Sequence, residues 1–326
     1  MFEAAVIEAS QHLRAGKVVA LPTETVYGLA ANAWDRRAVA GIFETKGRPS
    51  HNPLIVHVAD WTMLHSCVTH WSESAERLAR AFWPGPLTLV VKKSDLIPLI
   101  VTANGDSVAI RWPSHPFIQA VIQACGFPLA APSANLASAV SPTTAAHVQA
   151  GLGNKIDLIV DGGACSIGIE STVVDMIGNQ PRILRPGMIH AEEINQAYGC
   201  LRTEISQPQK DSDQPLRSPG LLEKHYSPRA KMVLWKWENE QDLRQRLAEV
   251  HWSESDAHIV AYRHVPERGH FRGISVLPEN PEAYARALYA ELHACDESRV
   301  PLIILELPPM GLAWEGIHDR LRRAVA

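Results

Sequence analysis

Two hydroxyls, a carboxylate and a phenol fall within five residues at Thr23-Glu24-Thr25-Val26-Tyr27, bounded by Pro22 and Gly28. This cluster directly follows the short β-branched run KVVAL. In open α/β folds ligands gather where strands end, so these groups could orient a small polar molecule. They could equally cap a helix through Thr23 or Thr25. Further on, Lys46-Gly47-Arg48-Pro49-Ser50-His51-Asn52-Pro53 sets two cations around a glycine in a proline-stiffened loop. Charge-assisted donors of this kind suit phosphate, and a solvated charged turn has the same composition. His57 lies in LIVHVAD, and a single strand histidine is more often a hydrogen-bonded structural residue. Alternation along SVAIRW puts Ser107, Ala109 and Arg111 on one face. An arginine there can grip a carboxylate bidentately, whereas on an edge strand it would stand in water. Ala131-Pro132-Ser133-Ala134-Asn135 and Ser141-Pro142-Thr143 offer small residues and hydroxyls along which a nucleotide could approach the backbone. Alone they are turn chemistry. Gly168-Ile169-Glu170-Ser171-Thr172-Val173 opens one strand and Leu184-Arg185-Pro186-Gly187 closes another. The chain has no GxxxxGK[ST] loop, no GxGxxG after the first strand and no HExxH. Any site is therefore dispersed along the chain.

Dispersed residues need a scaffold that gathers them. Residues 3–14 have helical spacing and stop at Gly16. DRRAVAGIFETKG, SESAERLARAFW and HPFIQAVIQACG read as helices. KVVALPT, PLIVHVAD, PLTLVVKK, SVAIRW, DLIVDGG and STVVDMI read as strands. This interleaving predicts an α/β domain over residues 1–205. The polar, proline-containing stretch around EISQPQKDSDQPLRSPG has no periodicity and predicts a linker over 206–229. MVLWKW, HIVAYRHV and LIILELP then read as strands, with PEAYARALYAELHACD and IHDRLRRAVA as helices. They predict a smaller α/β unit over 230–326. Trp235, Trp237, Trp252 and Trp314 fit its core or an interface.

Composition narrows the function classes. The chain has 326 residues, 46% hydrophobic and 20% charged, with a formal net charge of -4. That is ordinary globular composition, and its overall acidity argues against a dedicated nucleic-acid binder. The five cysteines form no CxxC pair, which points to a reducing compartment. No signal-like or membrane-length apolar run occurs. A cytoplasmic protein without membrane contact is expected.

In their order along the chain, PTETVYGL, KGRPSHNPLIVHV, FWPGPLTLV, SVAIRWPSHP, PLAAPSANLASAVSPT, GIESTVVD and ILRPG resemble the YrdC-like family of threonylcarbamoyl-AMP synthases. The resemblance runs from about residue 10 to 190. Lys224-His225-Tyr226-Ser227-Pro228 resembles the linker signature of the long, two-domain form. The resemblance implies a twisted mixed sheet with flanking helices, plus a smaller Rossmann-like C-terminal domain. It implies synthesis of threonylcarbamoyl-AMP from L-threonine, bicarbonate or CO2, and ATP with Mg2+, releasing pyrophosphate. The product would pass to a separate transferase complex that modifies tRNA. No covalent enzyme intermediate is expected.

Carried over residue by residue, the resemblance gives Arg111 to the threonine carboxylate and Thr25, His57 and Ser171 to the amino acid's other polar atoms. Lys46 and Arg48 would meet the phosphates as the catalytic cations, since bringing anions together is the main obstacle. Asn52, Ser107, Ala131, Ser133, Asn135, Ser141 and Arg185 would surround the nucleotide, and Tyr226 would reach back over the site. Ala137-Ser138 stands where Ser-Gly is common in the family, and Ser107 stands where Thr is common.

Two other readings compete. A carbamoyltransferase of the same fold would adenylate carbamate without threonine, and the KHYSP segment argues against it. A non-catalytic RNA-binding module would use a basic concave face, which the net acidity disfavours. A weak RNA contact is compatible with the enzyme reading.

Overall fold

A computed structural model of the protein describes residues 2–178, 180–199, 204–205, 220, 224–267 and 269–326. Most of the expected linker, 206–219 and 221–223, lies outside the described residues. The chain divides into two compact units, one of Met1–Ala137 and Ser141–Glu223, the other of Ser138–Val140 and Lys224–Ala326.

The first unit opens with α1 (Phe2–Arg14), which buries Val6, Ala9 and Leu13 at helical spacing. Gly16 follows in the left-handed conformation that ends such helices. Then come β1 (Val19–Leu21), β2 (Gly28–Asn32), α2 (Arg36–Lys46), β3 (Ile55–His57), α3 (Trp61–Cys67), α4 (Glu73–Phe82), β4 (Leu87–Lys92) and β5 (Ser107–Arg111). They are followed by α5 (Pro116–Cys125), β6 (Leu129–Ala130), α6 (Ala145–Leu152), β7 (Thr172–Asp175), β8 (Arg182–Arg185), α7 (Ala191–Tyr198) and β9 (Glu204–Ile205). The strands join in one mixed sheet, ordered β1-β2-β6-β3-β5-β4-β7-β8-β9. β3 and β5 run parallel, as do β4 and β7, while β4 and β5 run antiparallel.

Alternation divides the sheet into two faces. Val56, Leu89, Val91, Val108 and Ile110 belong to the main core, shared with Leu13, Val39, Ile42, Leu78, Ile118 and Val121 of the helices. Ile55, Val90, Ala109, Val173 and Leu184 make a separate, smaller apolar cluster. Side chains two apart on a strand share a face. His57 therefore continues the face of Ile55, and Arg111 that of Ala109.

Two local expectations are corrected. DLIVDGG is not a strand: only an isolated bridge pairs Ile159 with Ala20. Just beyond it the Asp161 carboxylate accepts from Gly163 N–H, and Gly163 takes a positive φ that turns the chain. The helix-cap reading of Thr23 and Thr25 also fails. β1 and β2 form an antiparallel pair, and the Thr23 hydroxyl accepts from Thr25 and Val26 N–H within the turn between them.

The second unit contains β10 (Lys231–Trp235), α8 (Glu240–Glu249), β11 (Ala257–Ala261), β12 (Gly273–Val276), α9 (Pro281–Glu297), β13 (Leu302–Glu306) and α10 (Glu315–Val325). Its sheet is parallel throughout and ordered β10-β13-β11-β12. Trp237 sits in a core with Leu243, Leu247, Ile259 and Ile304, and Trp235 and Trp252 pack against it. Trp314 packs edge-on against Tyr262 and Tyr284.

Gly187 sits hard against the start of β7: a Cβ there would lie 2.6 Å from Thr172 N and 2.9 Å from Glu170 O. Gly187→Ala must push these backbones apart. We expect it to cost about 1–3 kcal/mol, read as a lower urea midpoint with unchanged slope.

Candidate active site

The site is one row of side chains crossing five strands. Register pairs His57 on β3 with Arg111 on β5, Arg111 with Thr88 on β4, Thr88 with Val173 on β7, and Val173 with Arg185 on β8. Cross-strand partners share a face, so His57, Arg111, Thr88 and Arg185 line up on the face of the smaller apolar cluster. The row lies at strand ends, where the backbone is free to turn toward a ligand.

Arg111 is the centre of the row. β5 is an interior strand, and Arg111 is 3% exposed, so the edge-strand alternative is excluded. Its Nη2 lies 2.7 Å from Glu24 Oε1, its Nη1 donates to Thr25 Oγ1 at 2.8 Å, and its Nε donates to Gly85 O at 3.2 Å. Glu24 Oε1 also accepts from Ser114 N–H at 3.1 Å. Burial pushes the Glu24 carboxyl up, but the charge and hydrogen bond of Arg111, with the Ser114 N–H, hold it below its ordinary value. Glu24 Oε2 is buried without a hydrogen-bond partner, and so is His57 Nδ1. Burial, reinforced by the neighbouring Arg111 charge, drives the His57 imidazole down to about 3. His57 is therefore neutral at physiological pH, and one of its ring nitrogens can still accept.

The PTET turn is held from both sides. Tyr27 N–H donates to Pro142 O, and Ala134 N–H donates to Tyr27 O. The Tyr27 hydroxyl donates to Gly163 O at 2.7 Å and accepts from Gly162 N–H. Burial pushes it up to about 12, so it acts as a pin. Ile167 and Gly168 N–H donate to Glu24 O and Thr25 O. This ties the GIEST segment to the turn and brings Ser171 to the row. Ser171 Oγ lies 2.7 Å from Thr88 Oγ1, and Arg185 donates to Ser171 O and Oγ at 3.1 Å each.

The lysine and arginine of KGRP lie where α2 ends and the next loop begins. Asp35 caps α2 at its start, and Gly47 ends it in the left-handed region, so Lys46 is the last helical residue. Its ammonium donates to Ser133 O at 2.6 Å and Asn135 O at 2.5 Å, with Asn135 Oδ1 at 3.4 Å. Burial and the charge of Arg48 hold it well below the usual lysine value. These three oxygens each call for a proton, which an ammonium can supply. Arg48 donates from Nε to Asn52 O at 3.0 Å and from Nη2 to Asn52 Oδ1 and Pro53 O at 2.7 and 2.8 Å. Both cations thus buckle loops, Lys46 the one at Ser133–Asn135 and Arg48 the one at Asn52–Pro53.

Other expected residues fall as follows. Ser133 bridges to Gly28, and Ala131 N–H donates to Ile55 O. Ser141 Oγ donates to Glu170 Oε1 at 2.6 Å. Ser107 stands four residues before Arg111 on the same face, in register with Lys92. Tyr226 belongs to the second unit, where it is buried, stacks on Tyr289 at 5.9 Å and lies under the Arg320 guanidinium at 5.4 Å. Sequence reading missed three members of these networks. Glu24 was visible in PTET as a carboxylate without a partner. Thr88 was one hydroxyl in an apolar strand, and Glu170 one acid in a loop. Only the tertiary fold gives each its partner: Arg111 and Ser114 for Glu24, Ser171 for Thr88 and Ser141 for Glu170.

A buried guanidinium paired with a carboxylate, a neutral imidazole and several hydroxyls thus offer both charges and several hydrogen-bonding groups on one sheet face. Residues 11–187 match the family model described as "Telomere recombination" and residues 189–326 that described as "Threonylcarbamoyl-AMP synthase, C-terminal domain"; the chain belongs to the threonylcarbamoyl-AMP synthase family. It is 39% identical to the threonylcarbamoyl-AMP synthase of Pyrococcus abyssi, over 97% of this chain and 92% of that one. With the Bacillus subtilis enzyme of the same name it shares 40% identity over 98% and 92%. The crystal structure of P. abyssi Sua5 complexed with L-threonine superposes with a TM-score of 0.90 at 37% identity, covering 98% of this chain and 94% of that one. Escherichia coli YciO shares the fold of the first unit, at 24% identity and a TM-score of 0.51, covering 56% of this chain and 89% of that one. Among the described residues no helix is long and apolar enough to cross a membrane.

The neutral His57 has a consequence for stability. The unfolded chain takes up its proton near pH 6.5, while the folded chain resists it down to about 3. Unfolded chains therefore bind more protons in that window, and stability rises with pH across it. His57→Asn should flatten the pH dependence of the urea midpoint between roughly pH 3 and 6.5. An unchanged profile would place the histidine in water.

Proposed function

We propose that the protein makes threonylcarbamoyl-AMP from L-threonine, bicarbonate or CO2, and ATP, releasing pyrophosphate. The observation that carries the reading is the Arg111–Glu24 pair with its unshared Glu24 oxygen. Threonine is a zwitterion, and this pair offers one charge to each of its ends. Its carboxylate goes to Arg111 and its ammonium to Glu24 Oε2. Thr25, His57 and Ser171 take the remaining polar atoms, with the neutral His57 suited to the hydroxyl. A rival that adenylates carbamate alone has no ammonium to place against Glu24.

In the forward reaction the ammonium gives up its proton, and the amine attacks CO2. A second proton leaves as the carbamate forms. A carbamate oxygen then attacks the α-phosphorus of ATP and pyrophosphate departs. Catalysis consists mainly of holding three anionic groups together, for which fixed positive charge is the effective device. Arg185, Arg48 and Lys46 supply that charge, and the last two also fix the Asn52, Ser133 and Asn135 loops against the nucleotide. Ala131, Ser141 and Ser107 complete that wall. Mg2+ would come with ATP and would shield the phosphate charge. The reaction needs no covalent enzyme intermediate. The product serves a separate transferase that modifies tRNA.

Pyrophosphate release should require both threonine and bicarbonate, with mass analysis identifying the adenylate; release without threonine would establish the carbamate-only rival. Glu24→Gln removes the negative partner of the ammonium. It should weaken threonine binding by about 1.5–3 kcal/mol, roughly 10- to 100-fold, while ATP affinity changes far less. Lys46→Met should do the reverse and weaken ATP more than threonine. Equal losses for both ligands in either variant would overturn the division of the site.

A further inference from the structure

We propose that His258, Glu291 and Cys295 of the second unit form a zinc site, independent of the row that handles threonine. His258 lies on β11, and Glu291 and Cys295 lie four residues apart on α9. That spacing puts both on one helix face. One donor atom from each residue falls within 4.8 Å of the other two. His258 Nε2 is 3.3 Å from Glu291 Oε1, which is 3.6 Å from Cys295 Sγ. Tetrahedral zinc with bonds of about 2.0–2.3 Å places its ligand atoms roughly 3.3–3.7 Å apart, so two of the three pairs already stand at that spacing.

Ser275 on β12 places its Oγ 3.0 Å from His258 Nε2 and 2.7 Å from Glu291 Oε1, and a bound ion would displace these hydrogen bonds. The imidazole packs flush against Gly273, where a Cβ would come within 2.4 Å of Nδ1. The glycine thus gives the ring its room and keeps Nε2 turned toward the acid. Thiolate, imidazole and carboxylate together select zinc over magnesium or calcium, which want oxygen alone. Cys295 is buried, whereas His258 and Glu291 keep 17% and 21% of their side chains exposed. The ion would enter from that side and keep a fourth position for water, as three-ligand zinc sites do. Binding forms a Zn–S bond and releases the Cys295 thiol proton to solvent. It would join α9 to β11 beside the edge strand β12.

The full-length protein, stripped with a chelator, is titrated with Co2+ as a spectroscopic stand-in for zinc. The expected result is one equivalent bound, with a thiolate-to-cobalt charge-transfer band that Zn2+ abolishes. Cys295→Ser should lose the band. Glu291→Gln and His258→Asn should weaken binding by no less than the roughly 10- to 100-fold that loss of even an outer hydrogen-bond partner costs. Retained circular dichroism and threonine-dependent pyrophosphate release would show that the variants still fold. Three results would each overturn the proposal: no charge-transfer band in the unmutated protein, a band that survives Cys295→Ser, or binding only at millimolar metal. In any of these cases the cluster is a hydrogen-bonded clasp needing no ion.

Discussion

Arg111 is a full positive charge under a folded domain, and the first unit is arranged around that fact. A buried guanidinium without a partner would cost several kcal/mol. Glu24 supplies one counter-charge, and Gly85 and Thr25 accept from the remaining nitrogens. Glu24 is itself kept in place by Ser114, and its turn by the backbone of 167–168. Segments from four other regions of the chain, residues 24–25, 85, 114 and 167–168, thus converge directly or through one neighbour on one side chain. The pair is close to neutral as a unit, which lets it sit beside an imidazole that stays uncharged. A ligand bearing both signs can then enter without leaving a net charge buried.

The sheet makes this convergence reproducible. Because partners in register share a face, strand pairing alone puts the row of His57, Arg111, Thr88 and Arg185 together. A slip of one residue in β5 would turn Arg111 into the main core and Ile110 toward the ligand. The apolar residues that alternate with the row therefore guard the chemistry as well as the fold. Lys46 works similarly from outside the sheet. The left-handed Gly47 stops α2 at the one residue whose ammonium meets the Ser133–Asn135 carbonyls.

Much of this was legible in the sequence. The helices with strong spacing and the central strands could be read because burial imposes their period. The seven ordered motifs identified the site's residue types. What could not be read was pairing. β2 is not among the strands read from sequence, because Gly28-Leu-Ala-Ala-Asn is not β-branched, and its strand character comes from β1 and β6 on either side. DLIVDGG has strand composition, but Asp161 and Gly163 use it for a turn. Glu24, Thr88 and Glu170 could not be given partners from their local sequence, since those partners lie 29 to 90 residues away.

The second unit is not a continuous stretch of chain. Ser138–Val140 clusters with it, and Ala139 bridges to Ser227. On the ribosome, where folding follows the order of synthesis, this tripeptide emerges long before the rest of its unit exists. It must wait, bonded to nothing of its own unit, while the remainder of the first unit is translated. The later unit thus depends on three residues made well before it, and a polypeptide starting at Lys224 would be born without them.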